Sequence, residues 1–259
     1  MEMDGKVVVV TGASMGIGEA IAQVFADHVA SVVLLSRDAS RAEAARNRIG
    51  HTEHTLALAC DVRHREEIDS TLGLTLHHFG RVDVWVNNAG VGLREAVAEI
   101  EMSVCRELFE TNFFGMVACM QAVIPTMRGA GGGTIINISS VAGHLPLAFG
   151  APYSASKFAM NALGKAACME LKRDNIRVLT VCPGFVRTDF GANMLVARKA
   201  NVRPKSARGI TAERVARAVY EGYRRRKREV IVPWTMHPVV KLYQLFPGLV
   251  EWGMMWALK

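Results

Sequence analysis

Apolar residues run along this chain in two rhythms. Short unbroken runs of aliphatic and β-branched residues alternate with longer stretches in which apolar positions recur every three or four residues. Lys6-Val7-Val8-Val9-Val10 is the first such run, as expected of a strand covered on both faces. Runs at Ser31–Ser36, Leu56–Asp61, Val82–Val86, Thr134–Ile138, Ile176–Val181 and Val230–Val232 predict further strands. Between them the spacing predicts a helix through Ile21, Val24 and Phe25, a polar one over Arg41–Ile49, and one over His64–Phe79 closing at Gly80. Later helices are expected over Ser103–Met127, Tyr153–Leu171 and Thr211–Tyr223, the last with Thr211 as its N-cap. Strict alternation of this kind predicts an α/β fold, with a parallel sheet covered by helices on both faces. Ligands of such folds sit at the carboxyl ends of the strands.

No repeat or low-complexity linker divides the chain, so residues 1–259 read as one domain, with 234–259 as a hydrophobic C-terminal extension. Half of the residues are hydrophobic, ample for a sizeable core. The five cysteines, Cys60, Cys105, Cys119, Cys168 and Cys182, form no CxxC pair. They read as buried reduced thiols of a cytoplasmic protein, and their spacing indicates no metal site. The first strand begins almost at Met1, which leaves no room for a signal peptide. No uninterrupted apolar run reaches the roughly 18 residues needed to cross a bilayer. Charge is uneven: from Arg198 onward 14 Lys and Arg face 4 acids, whereas the rest of the chain carries 17 against 20.

Candidate chemistry gathers at two places. Gly12, Gly16 and Gly18 lie between the first strand and the first helix. Glycines there permit a tight turn and let a pyrophosphate approach a helix N-terminus. Tyr153 and Lys157 are four apart, and hence share one face of a helix. An ammonium one turn away favours the phenolate and is expected to lower the tyrosine's pKa toward the working range.

The ordered set Thr11-Gly12-x-x-x-Gly16-x-Gly18, Asp61, Asn87-Asn88-Ala89-Gly90, Asn112, Ser140, Tyr153-x-x-x-Lys157 and Pro183-Gly184 resembles the classical short-chain dehydrogenase/reductase family. Each motif is common by itself, but their conjunction over residues 5 to 232 is specific. The resemblance implies a Rossmann-type three-layer αβα domain with a seven-stranded parallel sheet in order 3-2-1-4-5-6-7. It implies Tyr153 as the proton donor or acceptor, Lys157 on the nicotinamide ribose, and Ser140 on the substrate oxygen. Ser139 is the weaker candidate, because strand alternation sends it to the opposite face. Asn112 would break the long helix locally and bind a water linking Lys157 to solvent. The cofactor would meet Gly12, Ser14, Met15, Gly16, Ile17 and Gly18, then Asp61 and Val62 at the adenine, and Asn88, Ala89 and Gly90 along its length. Tyr153 and Lys157 join this set, with Pro183, Gly184, Val186 and Thr188 at the carboxamide. No metal is implied.

An acid at the end of the second strand would accept from a ribose 2′-hydroxyl and repel a 2′-phosphate. Ser36-Arg37 stand there instead, and arginine pairs phosphate in a fork. NADP(H) is therefore expected over NAD(H). Asp38 is the competing signal, and Met15 stands where NADP-preferring relatives often carry a basic residue.

The loops around the site are apolar, with Val91, Leu93, Val141, Leu145, Leu147, Phe149, Phe185, Phe190, Met194 and Leu195. They predict a small lipophilic carbonyl or alcohol as substrate. His144, in the same loops, reads as a bystander. An acyl-thioester ketoreductase and a non-catalytic NADP(H)-binding regulator are the alternatives. The ending argues against the first, and the intact proton-transfer residues against the second. In the tail, Trp234, Trp252 and Trp256 accompany two stripes, Val239/Leu242/Tyr243/Phe246 and Leu249/Trp252/Trp256, after the run Arg224–Arg228. Packing on the body or in a homodimer or homotetramer is the first reading. Peripheral docking on an anionic membrane is the second. Nucleic acid is not expected, because no binding module accompanies the arginines.

Overall fold

Alternation explains how one valine run serves two cores. Val8 and Val10 of β1 (Val7–Thr11) pack on one face of the sheet, and Val7 and Val9 on the other. The computed structural model describes residues 3–191, 194–195 and 209–257. β1 pairs in parallel with β2 (Ser31–Ser36) on one side and β4 (Val84–Asn87) on the other, with Val8 opposite both Val32 and Val84. β3 (Thr55–Ala59) flanks β2, while β5 (Gly133–Ile138), β6 (Ile176–Pro183) and β7 (Glu229–Val232) continue beyond β4. The seven strands run in order β3-β2-β1-β4-β5-β6-β7, all parallel, as expected.

One core joins the Val8 face to α1 (Gly16–Asp27) and α7 (Ala212–Arg224), through Ile21, Phe25, Val215 and Val219. The other joins the Val9 face to α3 (Arg65–Phe79), α5 (Gly115–Gly129) and α6 (Ala151–Glu170), around Trp85, Ile135, Met127 and Met160. Each fully buried valine here contributes about 1.5–3 kcal/mol of transfer free energy. Helix ends follow their residue chemistry. Asp38 caps α2 (Ala39–Ile49) by accepting from the Ser40 and Arg41 amides. Thr211 caps α7 by accepting from Arg214 N, and Gly80 ends α3 at φ 75°.

Most boundaries shift by one or two residues, and three of the differences bear on the site. β3 stops at Ala59, so Asp61 stands beyond the strand. β6 continues through Cys182 to Pro183, where β7 gives it a partner. The long helix is not uniform: α4 (Met102–Phe109) passes into a π turn at Glu110–Phe114 before α5 resumes. The whole run Met102–Gly129 is long and apolar enough to cross a membrane by length and composition. Half of its most apolar window is buried within the protein. The unbroken-run criterion passed over it because polar residues interrupt it.

Beyond β7, α8 (Met236–Leu245) and α9 (Pro247–Ala257) pack on each other. Met236, Val239, Val240 and Tyr243 of α8 meet Val141 and Leu145 of the body. Leu242 and Phe246, placed in that stripe by spacing, face outward, as do Leu249, Trp252 and Trp256 of α9.

Candidate active site

Thr11 closes β1 and laces two turns together. Its hydroxyl donates to Val86 O (3.2 Å) and accepts from the amides of Asn88 (2.9 Å) and Ala89 (3.0 Å). The Asn88 side-chain amide donates to Thr11 O and Gly12 O at 2.9 and 3.0 Å. The side chain of Asn88 thus shapes the glycine turn. Gly12 has φ +62°, and a Cβ there would lie 2.9 Å from Ala89 Cα; at Gly18 a Cβ would run into the Gly12 carbonyl. Only glycine allows these approaches. α1 starts after Met15 with no side-chain cap, so its first-turn amides are not spent on a side-chain cap and suit a pyrophosphate. Ser14 O accepts from Arg48, whose guanidinium forks Glu19. Ile17 packs into the core. Across the cleft, Thr188 Cγ2 lies 3.4 Å from where a Gly16 Cβ would stand.

At the end where the adenine is expected, Arg37 is exposed just past β2 and acts on Asp61 through its charge. The neighbouring acid is committed elsewhere: Asp38 Oδ1 accepts from Ser40 N, Ser40 Oγ and Arg41 N at 2.8, 2.6 and 3.1 Å. Burial pushes the Asp61 carboxyl up, but the Arg63 guanidinium outweighs it and holds the group below the ordinary range. Arg63 grips Asp61 at 2.6–3.0 Å and also reaches Glu107 at 3.2 Å. Val62 is buried against Gly115, where a Cβ would meet it at 2.7 Å.

The proton-transfer candidates converge at the end of β5. Ser140 lies beside Tyr153 and favours its phenolate. The Ser140 hydroxyl accepts from Ala142 N (3.0 Å), capping its own turn, and lies 3.4 Å from Pro183 O. Ser139 faces the other way, donating to Lys157 O. Lys157, only 4% exposed, donates to Ile138 O (3.1 Å) and lies 5.7 Å from the Tyr153 ring centroid. The expected lowering of the phenol's pKa is not what this geometry gives. Burial pushes Tyr153 up to about 12, against the pull of Ser140, and burial pushes Lys157 down to about 8. The ammonium is aimed at a backbone carbonyl, so it does little for the phenolate.

Asn112 sits inside the π turn with no exposed surface. Its Oδ1 accepts from Val91 N (2.8 Å), and its Nδ2 donates to Val91 O (3.0 Å) and Ser156 Oγ (3.2 Å). The side chain therefore pins the strand-end loop to α6. Gly90 lies directly against it, and Pro183 ends β6 with Gly184 just beyond, Gly184 N donating to Val232 O. Val186 bridges to Ile210.

The short chain dehydrogenase family profile matches residues 6–198. The chain belongs to the short-chain dehydrogenase/reductase family. Mouse dehydrogenase/reductase SDR family member 7B is 32% identical over 252 residues, covering 94% of this chain and 78% of the relative. A Burkholderia phymatum short-chain dehydrogenase/reductase solved with NAD superposes with TM-score 0.86, 25% identity and 96% coverage of both chains. A Brucella melitensis 3-ketoacyl-(acyl-carrier-protein) reductase solved with NADH gives TM-score 0.80 and 27% identity, covering 89% of this chain and 97% of that one. The protein is accordingly an oxidoreductase acting on CH–OH groups with a nicotinamide cofactor, and the glycine cradle fits such a cofactor.

The apolar wall of this short-chain dehydrogenase/reductase divides in two. Phe190 lies 5.9 Å from the Tyr153 ring, and with Met194 it closes on Gly92. Leu195 N donates to Gly92 O, and Val91 and Leu93 are buried beside Leu108. Val141 and Leu145 instead turn away to bury Val240 of the tail. Leu147, Phe149 and Phe185 are exposed. Residues 192–193 and 196–208 of the expected substrate loop lie outside the described residues. The sequence marked Thr11 only as the head of the glycine motif, and Arg63 and Ser156 were passed over. Of these two, only Arg63 left a signal, its two-residue offset from Asp61.

Proposed function

We propose that this short-chain dehydrogenase/reductase uses NADP(H) to interconvert a lipophilic ketone or aldehyde and its alcohol. The observation that carries the reading is the convergence on the Tyr153 ring of buried Lys157, 5.7 Å from its centroid, and Phe190, 5.9 Å away, with Ser140 favouring its phenolate. The nicotinamide, when bound, supplies or accepts the hydride. Tyr153 gives its phenolic proton to the substrate oxygen in reduction and takes it back in oxidation. With its pKa raised, the phenol stays protonated at neutral pH and is loaded as an acid. Ser140 holds the same oxygen by a hydrogen bond. Lys157 binds the ribose hydroxyls and so holds the nicotinamide against Tyr153. Asn112 fixes the loop at Val91 so that these groups keep their spacing.

Arg37 takes the 2′-phosphate in this reading, supported by the commitment of Asp38 to α2. The whole chain acts as one catalytic unit in a homodimer or homotetramer. The likeness to the Brucella enzyme favours acyl-thioester reduction as the second reading, but the tail after β7 replaces the short ending typical of acyl-carrier-protein ketoreductases.

Oxidation of NADPH and of NADH is measured against ketones, aldehydes, steroids and acyl thioesters. Tyr153→Phe is expected to bind NADPH like the wild type and to lose turnover by about 10²–10⁴-fold; wild-type turnover refutes the role of Tyr153. Arg37→Ala is expected to raise KM for NADPH about tenfold or more, the value of a charged hydrogen bond, with KM for NADH unchanged. An unaltered NADPH/NADH ratio removes Arg37 from the site.

A further inference from the structure

Three side chains that the proton-transfer group does not use meet beside the edge of the sheet. His144 comes from the turn after β5, Cys182 from the end of β6 and Glu229 from the start of β7. Their ligand atoms all lie within 4.8 Å of one another. His144 Nε2 stands 3.3 Å from Glu229 Oε1 and 3.5 Å from Cys182 Sγ. The imidazole is 7% exposed and the thiol 0%.

Ordinary ion pairing explains the histidine–glutamate contact poorly. A charge-assisted N–H···O bond closes to about 2.7–2.9 Å, whereas His144 Nε2 stays 3.3 Å from the buried Glu229 Oε1, near enough to lower the carboxyl's pKa but outside good hydrogen-bond geometry. A tetrahedral ion fits better: with metal–ligand bonds of about 2.0–2.3 Å its edges are about 3.3–3.6 Å. Both measured edges to the imidazole fall in that range, and the edge from Cys182 to Glu229, within 4.8 Å, closes to it when the ion enters.

We propose that His144 Nε2, Cys182 Sγ and Glu229 Oε1 bind a divalent cation of the zinc class. The ion ties the turn that starts at Ser140, and the end of β6, to edge strand β7. A mixed N, S and O donor set suits zinc or cobalt(II), whereas calcium and magnesium take oxygen ligands. On binding, the Cys182 S–H bond breaks, the sulfur–metal bond forms, and the proton leaves to solvent; no electron is transferred. Burial pushes the free thiol up to about 12, so the ion itself drives that deprotonation. Lys165 Nζ, 3.8 Å from Glu229 Oε1, is 61% exposed and swings into water when the cation enters. Lys157 and Lys241 act on the cluster only through their charge. This site is independent of the substrate and cofactor reading.

Full-length protein, first treated with a chelator, is titrated with Co²⁺ and then with Zn²⁺. Expected are one Co²⁺ per chain, a thiolate-to-cobalt charge-transfer band that Zn²⁺ abolishes, and a higher Tm with Zn²⁺. Cys182→Ser loses the band, and Cys105→Ser, outside the cluster, keeps it. Should Cys182→Ser fail to fold, His144→Gln and Glu229→Gln take its place, each weakening Co²⁺ binding by about tenfold or more. Absence of the band in the wild type overturns the site. So does a band that survives undiminished in Cys182→Ser, or in both replacement variants.

Discussion

The crevice over β4 and β5 and the pair of C-terminal helices are both rich in apolar residues, yet they are specified in opposite ways. In the crevice nearly every polar group has a fixed partner. Asn112 alone makes three hydrogen bonds with no surface exposed, and Thr11 holds two turns through one hydroxyl. In the tail, Val240 and Val250 are buried while Trp234, Trp252 and Trp256 are 73%, 71% and 73% exposed. Buried hydrogen bonds admit one geometry, because an unpaired group there costs about 1–3 kcal/mol. Apolar packing is non-directional and admits several arrangements.

Lys157 tests the crevice hardest. Lys157→Met is expected to lower turnover by about 10²-fold or more and yet to raise stability at neutral pH. Burial brings the folded-state pKa from 10.5 to about 8. Between those values the unfolded chain binds more protons than the folded one, so stability rises with pH across the window, and the penalty is complete below about 8. Removing the ammonium relieves that penalty but forfeits its bond to Ile138 O, for a net gain of about 1–3 kcal/mol. Denaturant unfolding at pH 7 and pH 10 measures it. The difference between variant and wild type shrinks at the higher pH; equal stability at pH 7 would show that Lys157 is not desolvated.

The same contrast decides what the sequence made legible. The seven strands and the helices between them follow from apolar runs, because alternation along a strand and the 3.6-residue period are local properties; their order comes from the family resemblance. The glycine turn and the Tyr153/Lys157 pair were visible for the same reason. What escaped depends on contacts distant in sequence. That burial raises Tyr153 while Lys157 points to Ile138 O, the reverse of the expected shift, follows from how α6 packs on β5. His144, Cys182 and Glu229 come from three elements, and no spacing rule joins them. Even within the tail, the stripe Val239/Leu242/Tyr243/Phe246 is split by its docking on Val141 and Leu145, which takes Val239 and Tyr243 inward and leaves the other two outside.

The tail is where the smallest effects are expected, and they are informative as a pair. Val240 is 2% exposed among Val141 and Leu145, so Val240→Ala should cost about 1–3 kcal/mol through the cavity it leaves. The double substitution Trp252→Ser with Trp256→Ser removes far more apolar surface, but from positions already in water, and should change the stability of dilute protein by less than about 0.5 kcal/mol. Chemical unfolding at several protein concentrations, with sedimentation in parallel, separates two meanings of that surface. A tryptophan pair that rests in water gives the same small value at every concentration. If a second copy covers it, wild-type stability rises with concentration while the double variant's stability does not. The outward face of α9 would then belong to the assembled protein's core, and the contrast with the crevice would lie between contacts made within one chain and contacts completed by another.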